Sequence, residues 1–412
     1  MKIQYPRFVM NMESQTPTSS APSATSVRPG AYLQLLLATM GFGLNFWAWA
    51  LIGPLGPAYK NSLGLTSFQQ ALVVALPVLV GSLGRIPVGA LTDRFGARVM
   101  FPVISFLTML PLLYLAFFGE SLNQLLIGGF FLGLGGTTFA IGIPLVNSWF
   151  PPERRGFALG IFGAGMGGTA ISAFTTVKLA EAHTRSFPFL LVTVVLAVYG
   201  LLAIILVRDA RTPGKIDGGF WNRTWTTMRM GITVRLSALY AVGFGGFVAF
   251  SVYLVTYLKN AYGLTQSDAA SRTAGFVVLA VIARPIGGWL SDRFHPVPVL
   301  TGCFTLVTLL AGVASLHLEL VPLATLAFLG MGAGLGAAAG ACFALVARMA
   351  PAQSVGSVTG VVGAAGGLGG FMPPLVMGLI FGRTGSYTIG FILLSAVALS
   401  AAIYTWLGMS HE

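Results

Sequence analysis

The chain has 412 residues and a mean hydropathy of +0.83, with 55% hydrophobic and only 8% charged residues. Soluble domains carry roughly 25% charged residues, so a soluble enzyme or nucleic-acid-binding domain is excluded, whatever the net charge of +12 invites. The two cysteines, Cys303 and Cys342, both lie in apolar segments and offer no disulfide framework.

Residues 1–29 contain the polar stretch QTPTSSAPSATS and read as a disordered tail. The apolar run that follows is too long for the core of a cleaved signal peptide, so the tail is expected to stay on the chain. A helix needs about 20 apolar residues to cross a bilayer. Twelve segments meet this length: 31–56, 68–91, 97–118, 122–148, 156–180, 187–207, 234–258, 267–290, 296–316, 320–347, 354–382 and 386–408. The longest break follows the sixth span. It divides the chain into a first half (30–207), a linker (208–233) and a second half (234–409). The expected fold is an all-α membrane protein of twelve transmembrane helices in two six-helix halves.

Lysine and arginine set the orientation. With the N-terminus cytoplasmic, the tail, Arg94, Arg98, Arg154, Arg155 and the linker cations fall inside, and most of the 23 basic residues go with them. Both termini are therefore expected to be cytoplasmic, in the plasma (cell inner) membrane.

The halves repeat each other. YKNSLGLT (59–66) matches LKNAYGLT (258–265), GRIPVGALTDRF (84–95) matches ARPIGGWLSDRF (283–294), and GFALGIFGAGMGG (156–168) matches GSVTGVVGAAGGL (356–368). The registers agree within one residue and keep the same order. Six spans per half make this a parallel repeat, with a pseudo-twofold axis along the membrane normal.

Within the repeat, Arg85 and Arg284 stand inside apolar spans, eight residues ahead of Asp93 and Asp292. All 11 acidic residues, and the histidines His183, His295, His317 and His411, fall in tails, loops or span ends. The two arginines thus have no acidic residue at their depth, and no intramembrane proton relay is visible. Each lies about 9 Å from its span end, so snorkelling to the interface is the alternative. Two things oppose it. Helical side chains lean toward their own N-terminus, which here aims them at the bilayer centre. Their i±4 neighbours are small: Gly81 and Gly89, Ala280 and Gly288. Arginine at a helix centre costs ~2.5 kcal/mol or more, so two of them at equivalent positions point to a built site. A central site with two cationic walls follows. The planar guanidinium fork suits a small planar anion such as nitrate, nitrite, formate or another carboxylate.

Spans 5, 10 and 11 are rich in glycine, each residue weakening a helix interior by roughly 0.5–1 kcal/mol. Tight packing is one use of such runs, and close approach of bare backbone to a small substrate is another. Tyr240 and Phe244 are i,i+4 neighbours, and Phe139 lies mid-span; these rings either pack or shape the pocket. Asp93, Arg94 and Arg98, with the shorter copy Asp292 and Arg293, stand at turns between spans. They are candidates for an ion-pair latch between gating states.

Residues 89–98, GALTDRFGAR, resemble the loop motif of the major facilitator superfamily. From about 35 to 405 the chain resembles the nitrate/nitrite porter family of that superfamily. Its two glycine signatures fall on Gly163, Gly165, Gly167 and Gly168, and on Gly360, Gly363, Gly366, Gly367, Gly369 and Gly370. The resemblance implies that Arg85 and Arg284 bind substrate, that Phe139, Tyr240 and Phe244 are the pocket aromatics, and that transport proceeds by rocking of the halves. One position departs from the family pattern: Met166 stands where the first signature carries asparagine.

The expected function is transport of nitrate and nitrite, by exchange. Exchange of formate, oxalate or other carboxylates, and proton-coupled nitrate symport, remain alternatives. No cofactor, metal or nucleic acid is expected. The partners are nitrate, nitrite and the lipid bilayer, and the unit is a monomer.

Overall fold

The structure is a computed structural model and describes residues 27–210, 220–350 and 355–409. Twelve of its helices are long and apolar enough to cross a membrane. In chain order they are α1 (Ala31–Leu63), α2 (Ser67–Phe95), α3 (Ala97–Phe118), α4 (Leu122–Trp149), α5 (Phe157–Ala182), α6 (Phe187–Leu206), α7 (Gly231–Tyr262), α8 (Gln266–Phe294), α9 (Pro296–Ser315), α10 (Leu320–Val346), α11 (Ser357–Thr384) and α12 (Thr388–Met409). All twelve predicted spans are present. The chief differences are at the ends, because helices continue past the apolar layer into polar turns.

Residues 1–26 of the expected tail and 211–219 of the expected linker lie outside the described residues. Val27 packs against the core, and Arg28 donates to the Ala210 carbonyl at 2.9 Å. The linker also carries a short helix, Phe220–Arg229, which apolar-run length could not reveal.

The repeated KN-x-x-GLT segments have a local physical cause. Gly64 and Gly263 end α1 and α7 at φ 62° and 65°, a left-handed conformation that glycine adopts without strain. Thr66 and Thr265 then open α2 and α8, their hydroxyls accepting from the backbone N–H groups of Gln69 and Asp268. Two sharp turns of one design place α2 and α8 equivalently in the two halves.

Helices of opposite halves meet along two seams: α2 packs along α11, and α8 along α5. Exchanging the halves exchanges these seams, as the pseudo-twofold requires. α1 and α7 cross each other near the axis, where Gly53 lies against the Val252 backbone. On the face opposite the linker helix the halves are bridged by neutral hydrogen bonds. Gln70 Nε2 donates to Thr256 Oγ1 at 2.9 Å, and Gln266 Nε2 to the Pro54 carbonyl at 2.7 Å. On the linker face, the segment after α6 is held from below: Ala97 and Arg98 donate backbone N–H groups to the Asp209 carboxylate, and Trp149 Nε1 donates to the Arg208 carbonyl.

Candidate anion site between the halves

Arg85 and Arg284 are interior residues, 5% and 7% exposed. That removes the snorkelling alternative. The small neighbours explain how the bundle closes around them. Gly81 faces the backbone of α4, where an added Cβ would sit 3.0 Å from the Gly133 carbonyl and 3.3 Å from Gly136 Cα. On the other side, a Cβ at Gly336 or Gly340 of α10 would overlap the carbonyls of Ala280 and Arg284. Each arginine-bearing helix is thus pressed to its neighbour at a glycine crossing. Gly89 and Gly288 have no such close side-chain neighbour.

Each guanidinium reaches across to the other half. Arg85 donates from Nη1 to the Gly363 carbonyl of α11 at 2.6 Å, and from Nε to the Gly136 carbonyl of α4 at 3.2 Å. Arg284 lies with Nη1 3.0 Å from Met166 Sδ of α5, and donates from Nη2 to Tyr240 Oη at 3.2 Å. Among the described residues, the bonded partners of both arginines are carbonyls, a phenol and a thioether, with no carboxylate.

The aromatic residues close the site. Phe244 lies 5.7 Å from the Arg85 guanidinium and 5.6 Å from that of Arg284, so both cations share one ring. Tyr240 stacks on Phe244 at 5.0 Å and an interplanar angle of 3°. Phe139 takes the Arg85 side at 5.1 Å. The three expected rings and two expected arginines therefore converge. Phe343 of α10 completes the wall and is absent from the sequence-based set. It lies 5.6 Å from the Arg284 guanidinium and packs edge-on against Tyr240. Its only signal is its place three residues after Gly340, on the α10 face turned toward α8.

The signature glycines divide by role. A Cβ at Gly366 would overlap the Tyr240 ring, one at Gly367 the Ser82 hydroxyl, and one at Gly363 would sit 3.1 Å from Phe139. A Cβ at Gly163 would touch Arg284 at ordinary contact distance, 3.4 Å from Nε. By contrast, Gly165 and Gly168 serve packing onto α1, at Phe42 and Gly43, and Gly167 touches only Val281 at the edge of contact. The glycine run of α5 interrupts the α-helix with a 3₁₀ segment, Ala164–Gly167. A matching 3₁₀ break in α4, Gly133–Thr137, contains the Gly136 carbonyl that accepts from Arg85, although glycine in that span was not singled out from the sequence. The runs in α10 and α11 stay helical.

The turn residues stand apart from this centre. Asp93, Arg94, Asp292, Arg293 and Arg98 are all exposed at the linker-side ends of α2 and α8 and the start of α3. Arg94 and Arg293 lie over the adjacent rings of Phe95 and Phe294. The carboxylate that joins α3 to the chain beyond α6 is Asp209, a residue the motif does not contain.

The family model described as Major Facilitator Superfamily matches residues 38–374. The chain is 45% identical over 379 residues to the probable nitrate/nitrite transporter NarK2 of Mycobacterium tuberculosis (strain ATCC 25618 / H37Rv), covering 91% of this chain and 96% of the relative. It is 37% identical over 372 residues to the nitrite extrusion protein of Bacillus subtilis (strain 168), covering 90% and 93%. The chain belongs to the nitrate/nitrite porter family of the major facilitator superfamily. The porter's fold is also that of the human organic anion transporter MFSD10 in its crystal structure. The TM-score is 0.74 at 14% identity, over 92% of this chain and all of that one. At that identity the likeness concerns architecture alone, and it extends to both halves of the porter.

Proposed function

We propose that this porter exchanges nitrate and nitrite by alternating access, with Arg85 and Arg284 clamping the anion between the two halves. It is a multi-pass membrane transporter and not an enzyme. The observation that supports the clamp is the pair of buried guanidiniums on a shared Phe244 ring, bonded among the described residues to neutral groups. Two desolvated like charges repel, and an anion between them removes that cost while accepting paired N–H bonds. Nitrate and nitrite both present coplanar oxygens, which match the fork of arginine better than the point charge of lysine.

Exchange follows from the same charges. Rocking must carry the site through an occluded state, and two uncompensated cations oppose that step. An anion of either kind relieves it, so the loaded carrier turns over and the empty one does not. The moving parts would be the halves, sliding at the α2–α11 and α5–α8 seams. Met166, in place of the signature asparagine, offers Arg284 a weak acceptor and gives the anion no donor, so discrimination rests on the arginines and Tyr240. Both termini face the cytoplasm in this scheme, the membrane is the plasma membrane, and one chain supplies the whole site.

Liposomes loaded with nitrite and exposed to labelled nitrate test this. Uptake should require internal nitrite or nitrate and should not respond to a pH gradient. Equal uptake into empty vesicles, or uptake driven by a proton gradient, would replace exchange with uniport or symport.

A further inference from the structure

A second feature bears on how the anion reaches the centre. On the face opposite the linker helix, an open hollow of about 430 Å³ lies between α2 and α11, where Lys60, Thr66, Ser67 and Arg383 stand beside the exposed Phe68 and Leu379 and the glycines Gly378 and Gly382. Its wall holds two cations and two hydroxyls, and no acidic residue is among those lining it. We propose that this cavity is an outer docking site for a small oxyanion from solution, which loads the central clamp; it rests on the anion-transport function above.

Three observations carry it. First, Lys60 is held in place rather than free. Its Nζ donates to Ser67 Oγ at 3.0 Å and stands 5.8 Å from the centre of the Phe381 ring, which leaves further ammonium hydrogens for the cavity. Second, glycine draws the two helices together beneath the hollow, most tightly at Gly378. A Cβ at Gly378 would press on Ala71 and on the Ser67 carbonyl, and one at Gly382 would stand 3.6 Å from Ser67 Cβ. Third, the cavity lies on the seam that ends at the clamp. The same two helices that line it carry Ser82 against Gly367 further along, and then Arg85 on the Gly363 carbonyl. Ser67 and Arg85 are about 27 Å apart along α2 at 1.5 Å per residue.

The volume exceeds what a bare nitrate needs, so the anion enters with part of its water. That suits capture, where modest affinity and a raised local concentration serve better than tight binding. Parting of α2 from α11 at this end would connect the cavity with the central arginines.

The test uses the full-length porter in vesicles of known sidedness, with nitrate as the probe and counterflow as the assay. Lys60→Gln combined with Arg383→Gln should raise the half-saturating nitrate concentration at the outer face about three- to tenfold, the scale of two partly exposed charges. The half-saturation at the inner face should then change by less than the outer value. Lys60→Arg with Arg383→Lys should restore the outer value and shows that the fold tolerates change here. Lys178→Gln, which removes a cation lying over Phe174 elsewhere on α5, should leave it alone. Equal half-saturation for the double glutamine variant and the parent, or an equal rise at both faces, would overturn the docking site. The measurement is repeated in zwitterionic vesicles and in vesicles with anionic lipid. An effect confined to the anionic vesicles would assign the cavity to a lipid headgroup and would also overturn it. If the parent fails to exchange nitrate at all, the transport function falls instead, so the two failures are distinct.

Discussion

At the scale of single residues, the site depends on what glycine omits as much as on what arginine supplies. Gly366 has the Tyr240 ring where a Cβ would go, whereas Gly360, in the same signature, has nothing within 4 Å. Gly366→Ala should therefore cut nitrate exchange at least tenfold, while Gly360→Ala stays near the parent rate. The two variants separate close approach from a general need for supple helices, since similar losses in both would favour suppleness. The arginines were legible in the sequence because each stands deep in an apolar run and the run occurs twice. Phe343 was not legible, because an aromatic residue in a membrane span looks the same whether it packs or faces a ligand. The two carbonyls that hold Arg85 were hidden as well. One lies in the 3₁₀ segment of α4 and the other in the glycine run of α11, and neither acceptor leaves a mark in hydropathy.

At the scale of elements, local turn chemistry governs where the helices begin. The start of α3 follows Gly96, at φ 81°, and its first N–H groups are capped by Asp209, more than a hundred residues away in sequence. A carboxylate there answers both the unpaired donors and the helix dipole. Asp209→Ala should cost about 1 kcal/mol and lower the midpoint of thermal unfolding in detergent by a few degrees, with the nitrate half-saturation little changed. An unchanged midpoint would mean that water replaces the cap at no cost. The GLT segments were readable beforehand as a repeat, and the structure supplies its reason in the glycine and threonine of two like turns. Asp209 was not, since a cap from a distant loop depends on the tertiary arrangement and no spacing rule describes it. The helix at 220–229 escaped for a related reason: it is polar, short, and held by neighbours instead of by an apolar run of its own.

At the scale of the whole molecule, the two halves are sealed on one face by uncharged hydrogen bonds, Gln70 to Thr256 and Gln266 to Pro54. Neutral bonds of this kind contribute roughly 1 kcal/mol each, which permits a seal that breaks on every cycle. Gln70→Ala with Thr256→Val should shift the porter toward the state open on this face. Spin labels on the ends of α1 and α7 at this face, in a background lacking Cys303 and Cys342, should then report a larger population at long distance. An unaltered distance distribution would mean that the backbone crossing at Gly53 and Val252 holds the seal alone. Twelve spans, two halves and their parallel repeat could be read directly from hydropathy and internal similarity. Which face is closed could not, because one sequence must serve both states.

The clamp itself is tested most directly by nitrate binding to the purified porter. Calorimetric titration of the parent, Arg85→Lys and Arg284→Lys at fixed ionic strength should show affinity falling at least tenfold in each variant, with thermal unfolding confirming that both remain folded. Lysine keeps the charge and loses the fork, so the comparison isolates paired hydrogen bonding. Parent-like affinity in both variants would contradict a site in which two guanidiniums hold a flat anion.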